Sequence, residues 1–185
     1  MYKKVLLAIL LAIVGASHVA AQRAYVCYTS SNQTVTFYYD REYNSRLADK
    51  RFFLPNDETA KPDWYSDNHN EFEDATHVVF DPSFIDAQLP YASSNFIYSK
   101  IKSASYWFCG MPNLVSITGM EYLDLSEAEY FHYMFSGCSS LTTIDFSESK
   151  LERFGGVSSA SGAECMFQNC TNLTTICVSS EHFGV

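Results

Sequence analysis

The chain has 185 residues and a formal net charge of −9, with 12 Lys and Arg against 21 Asp and Glu. So acidic a surface repels phosphate backbones, which excludes nucleic acid as a natural partner. The 13 Tyr and 14 Phe, with abundant Ser and Thr, favour strands and turns over long helices.

The chain opens with "MYKKVLLAILLAIVGASHVAAQ". Lys3 and Lys4 precede an apolar run from Val5 to Val14, and Val19-Ala20-Ala21 fits a signal-peptidase site. Residues 1–21 are therefore expected to be a secretory leader. The run is ten residues long, short of the about 20 a membrane span needs. Cleavage after Ala21 leaves 164 residues with a net charge of −11, because the leader holds two basic residues and no acidic ones. No later segment is apolar enough to span a membrane, so none is expected after leader removal.

Residues 22–75 read as an N-terminal β-hairpin and capping region. "AYVCY" and "TVTFYYD" are aromatic and β-branched, and "TSSNQ" between them is turn chemistry. Val35, Phe37 and Tyr39 share one face of the second strand; Thr34, Thr36 and Tyr38 share the other. Residues 41–75 are charged and interrupted by Pro55 and Pro62, and read mostly as loop. "THVVFDPSF" gives a strand at about 76–80, stopped by Pro82. Residues 83–106 are irregular, with room for one short helix.

From residue 107 the chain repeats itself. "MFSGCSSLTTIDFS" (134–147) returns as "MFQNCTNLTTICVS" (166–179), with eight of fourteen positions identical. "WFCGMPNLVSITGM" (107–120) is a worn first copy. The spacing from Leu114 to Leu141 is 27 residues, and from Leu141 to Leu173 it is 32. A recurring unit of this length marks a structure that buries its apolar face against copies of itself. Leu141, Ile144 and Phe146 alternate with Thr143 and Asp145, so the first set points inward and the second outward. Leu173, Ile176 and Val178 are the matching inward set. Met134, Phe135, Met166 and Phe167 close the other side of the core. The extra length of the last unit falls in "GGVSSASG" (155–162), a loop insertion.

These motifs, "YMFSGCSSLTTIDFS" above all, resemble the BspA-like leucine-rich-repeat surface proteins of Bacteroidetes and related repeats in mycoplasma lipoproteins. The resemblance covers nearly the whole mature chain. It implies a β-rich α/β solenoid at 76–185: a short leucine-rich-repeat array of three to four coils with parallel strands, capped by the N-terminal β-hairpin. It also implies an exported, non-enzymatic binding or adhesion protein. No catalytic residues carry over. The alternative is a truncated or decayed repeat protein without independent function.

Six cysteines, Cys27, Cys109, Cys138, Cys165, Cys170 and Cys177, would meet an oxidising compartment. Cys138 and Cys170 share one slot of adjacent copies, filled by Met111 in the first, which marks an apolar core position and buried free thiols. Cys177 takes the slot of Asp145, so it reads as exposed and more reactive. Cys165, Cys170, Cys177 and His182 have zinc-ligand chemistry without zinc spacing. No cofactor is expected. His69, His77, His132 and His182 are scattered without a nucleophile–base signature. The acidic stretches 56–58 and 71–74 lack a calcium-loop pattern, and "GGVSSASG" lacks a phosphate loop's lysine.

The candidate ligand surface is the concave strand face: His77, Val79, Ser116, Thr118, Thr143, Asp145, Thr175 and Cys177. Small polar side chains on a rigid sheet suit an extracellular protein or glycan. The final coil has few residues after it to cover its apolar face, so homo-association through that coil is also expected.

Overall fold

The computed structural model describes residues 22–55, 61–66, 69–90, 98–151 and 162–179. The expected leader, residues 155–161 of the loop insertion and His182 lie outside them. Eleven strands are named among the described residues: β1 (Arg23–Thr29), β2 (Thr34–Asp40), β3 (Lys50–Phe53), β4 (Tyr65–Ser66), β5 (His69–Asn70), β6 (His77–Phe80), β7 (Leu89–Pro90), β8 (Tyr98–Ser99), β9 (Ser116–Thr118), β10 (Thr143–Asp145) and β11 (Thr175–Cys177). The main sheet has the order β3-β1-β2-β6-β9. β1 runs antiparallel to β2 and β3, whereas β2, β6 and β9 are parallel. β10 and β11 form a separate parallel pair.

The expected leucine-rich-repeat α/β solenoid is not what forms. The described residues contain no α-helix, only the short 3-10 turns Pro82–Asp86 and Met120–Tyr122. The main sheet is mixed, and its ladder stops at β9 instead of continuing into β10. The hairpin is no separate cap: β2 sits in the middle of the sheet and pairs with β6.

Local conformation explains the missing helices and the break in the ladder. Tyr106, Tyr133 and Cys165 are left-handed, with φ of 62°, 54° and 54°; Gly110, Gly137 and Asn169 follow at 74°, 82° and 60°. Each left-handed residue interrupts a helix, so the repeat units wind as turns. The ladder stops where Gly119, φ 77°, turns the chain into Met120–Tyr122. A Cβ at Gly119 would lie 2.2 Å from the Phe80 carbonyl oxygen. Only glycine lets the backbone come that close to β6.

The repeat unit itself is visible in the hydrogen bonds. Tyr106, Phe108 and Gly110 donate their N–H groups to the carbonyls of His132, Met134 and Ser136, at 2.9, 2.9 and 2.7 Å. One unit on, Tyr133, Phe135 and Gly137 donate to Glu164, Met166 and Gln168, at 3.0, 2.9 and 2.8 Å. As expected, Met134, Phe135 and Met166 are buried. Phe135 stacks on Phe167 at 5.7 Å and 11°, though Phe167 is half-buried. All six cysteines are free; Cys138 is buried and Cys170 half-buried. Their thiols donate to the carbonyls of Phe108 and Phe135 at 3.1 and 3.0 Å.

One core cluster runs from Ala24 to Met166. Phe37 is its hub, touching the rings of Trp64, Phe80, Phe84, Trp107 and Phe108 with centroids 4.7–6.3 Å apart. The opposite face of the hairpin is covered by the segment after β2. Tyr43 stacks on Phe53 at 4.1 Å, and the Arg46 guanidinium lies 3.6 Å above the Tyr38 ring. The Tyr25 hydroxyl donates to Asp40 at 2.5 Å, Arg46 donates to the Tyr25 oxygen at 2.8 Å, and Arg46 pairs with Asp40.

Burial alone would raise the Asp40 carboxyl, but hydrogen bonds from Tyr25 and Arg46 hold it below the usual range. Its ionised form is therefore bound more tightly in the folded state. That contribution is complete above the unfolded pKa and disappears as pH falls through the depressed folded one. Asp40→Asn is expected to lower the melting temperature at pH 7. The gap to the native protein should then close on acidification, as thermal melts at stepped pH will show.

Candidate functional site

The eight residues picked from the sequence are brought onto the outward face of the parallel strands. His77 pairs across with Ser116, and Val79 with Thr118. Thr143 pairs with Thr175, and Asp145 with Cys177. The face is split over two sheets instead of forming one concave surface. β2 extends both rows of the main sheet, since Thr34 lies beside His77 and Thr36 beside Val79. The alternation in "TVTFYYD" already carried that signal.

His77, Thr118, Thr143, Asp145 and Thr175 are exposed; Val79, Ser116 and Cys177 are half-buried. Cys177 is thus less open than its slot in the repeat suggested. It lies on the edge beside Asp145 and its carbonyl accepts the Phe146 N–H at 2.8 Å. His77 Nδ1 and the Ser116 hydroxyl are 2.7 Å apart, so these two side chains are tied across the ladder. Asp145 Oδ1 accepts the Ser147 N–H at 2.8 Å. Hydrogen bonds from the Ser147 hydroxyl and N–H hold the Asp145 carboxyl below its ordinary range, so it stays ionised.

The break between β9 and β10 opens a cleft of about 260 Å³. Ile117 and Thr118 line one side, Asp145 and Glu148 the other, and Gly119, Met120 and Glu121 complete it. Two of the sequence-picked residues, Thr118 and Asp145, line this cleft. Glu121 and Glu148 were missed, because both follow their strands and belong to no alternating pattern. Three carboxylates and a hydroxyl make the cleft a hydrogen-bond acceptor and a negative surface. Among the described residues no group of His, Cys, Asp and Glu is arranged to hold a metal ion.

A second surface feature is a row of tyrosines. Tyr65, Tyr106 and Tyr133 stack with centroids 5.4 and 5.2 Å apart, and Lys61 Nζ lies 5.7 and 5.1 Å from the first two rings. The stacked rings close each other's inner faces, so between them the row offers edges and hydroxyls to a ligand.

Among the described residues no helix is long and apolar enough to cross a membrane. Comparison with protein-family models, curated proteins and solved structures finds no match to this chain.

Proposed function

We propose that the chain is an exported, non-enzymatic binding protein that contacts an extracellular protein or glycan through the strand face around the β9–β10 cleft. The observation that carries the reading is the rows of outward side chains meeting at an acidic cleft. A rigid sheet fixes those groups in advance, so little ordering entropy is lost on binding. The carboxylates of Asp145, Glu121 and Glu148 suit a ligand that inserts a basic side chain or presents hydroxyl donors. The leader-like residues 1–21 and the resemblance of the repeats to BspA-like surface proteins support export and binding.

The test uses the mature chain on an array of extracellular-matrix proteins and glycans. Thr118→Arg combined with Thr143→Arg places bulk and positive charge on one wall of the cleft and on the outward face of β10, the strand whose Asp145 lines the other. Binding to any captured probe is expected to weaken by roughly tenfold or more, about 1.4 kcal/mol, with an unchanged circular dichroism spectrum. Undiminished binding would place the contact elsewhere on the molecule.

A further inference from the structure

The sheet edges of this molecule are not treated alike. β3, the outer edge of the main sheet, carries Lys50 and Arg51, the charges that discourage edge-to-edge pairing. β11 carries none. Residues 165–179 form a run of fifteen without Asp, Glu, Lys or Arg, in a chain whose net charge is −9. Two copies can therefore bring this face together without opposing charge.

The same face is apolar and open. Phe135, Cys138, Leu141, Ile144 and Phe146 are all buried, and the next unit covers them. Their counterparts Phe167, Cys170, Leu173 and Val178 are only half-buried. Ile176 is 42% exposed where Ile144 is 1% exposed. Among the described residues the backbone is open too. Thr175 donates its N–H to Thr142 at 3.2 Å, and the Cys177 carbonyl accepts from Phe146 at 2.8 Å. Residues 175 and 177 thus face β10, and strand alternation turns the Ile176 N–H and C=O outward.

We infer that β11 is a self-association edge, on which a second copy of this chain pairs antiparallel about a two-fold axis at Ile176. Each Ile176 exchanges both hydrogen bonds with its counterpart, joining β10 and β11 of both copies into one four-stranded sheet. The two apolar end faces meet alongside it. An isologous contact of this kind needs a single self-complementary surface. In this register Thr175 of one copy lies opposite Cys177 of the other, as a non-hydrogen-bonded pair with close side chains.

Light scattering on the mature chain is expected to show a dimer that dissociates on dilution, and Ile176→Lys a monomer with unchanged circular dichroism. Thr175→Cys is the independent test of register. Under mild oxidation it should give a reducible covalent dimer on a gel, well above the level of the native protein. A native monomer at every concentration overturns the inference. Hydrogen exchange then separates two cases: a protected Ile176 amide means the chain covers its own edge, and a fast one means that the edge stays open. A dimer that persists in Ile176→Lys, or no gain in crosslinking from Thr175→Cys, equally removes β11 as the seam. If Ile176→Lys loses its spectrum, the crosslinking result decides.

Discussion

Phe37→Ala is expected to lower the unfolding free energy by about 3–5 kcal/mol, the range for a buried aromatic removed from a packed core. The site supports the upper part of that range. Five aromatic rings surround Phe37, from β6, from the Pro82–Asp86 turn and from residues 64, 107 and 108. A vacancy there cannot collapse without moving several bulky side chains at once. Urea denaturation followed by tryptophan fluorescence measures it, because Trp64 and Trp107 both contact the removed ring. A loss under about 1 kcal/mol would mean that Phe37 does not hold the hairpin against the repeats.

Gly119→Ala is expected to cost about 2–5 kcal/mol. A left-handed backbone costs an L-residue about 1–2 kcal/mol, and forcing an atom into a packed contact adds about 1–3 kcal/mol. The contact is the Phe80 carbonyl oxygen, 2.2 Å from the new Cβ. It is backbone in the neighbouring strand, so β6 itself must shift. Gly137→Ala is the control. Its φ of 82° is equally left-handed, but the nearest atoms to a new Cβ lie at 3.5 Å. It should show the conformational cost alone. Equal losses in the two variants would mean that the close approach of Gly119 to β6 does not contribute.

What was legible in the sequence had a short period. In the hairpin at 24–40 the second strand alternates cleanly, and β1 and β2 occupy Arg23–Thr29 and Thr34–Asp40. The strand expected at 76–80 is β6, and the repeat spacing put β9, β10 and β11 in equivalent positions. β3 falls in a stretch that reads as loop, because "KRFF" has no alternation and becomes a strand only by pairing with β1. In 83–106, where the sequence leaves room for one short helix, the described residues hold the 3-10 turn Pro82–Asp86, whose start is fixed by Asp81 accepting the Ser83 N–H at 2.9 Å. The mixed sheet and its break were not legible. They depend on contacts between residues far apart in sequence, such as Gly119 against Phe80. The site divides the same way: the outward rows follow from alternation, whereas the cleft and its Glu121 and Glu148 follow from the break.

The left-handed residues have a consequence for length. Tyr106 to Tyr133 and Gly110 to Gly137 are each 27 residues apart; Tyr133 to Cys165 and Gly137 to Asn169 are each 32. Within a unit the two left-handed positions are always four apart, while side chains at them range from tyrosine to cysteine and from glycine to asparagine. Handedness keeps the phase, and the identity of the residue is secondary. Extra residues inserted between Tyr133 and Gly137 would throw every later donor out of step with its acceptor. Extra residues between Leu151 and Gly162 fall between phase marks, where the second unit already carries its additional five. That segment is the natural place to splice in a tag or reporter while the stacked turns keep their register.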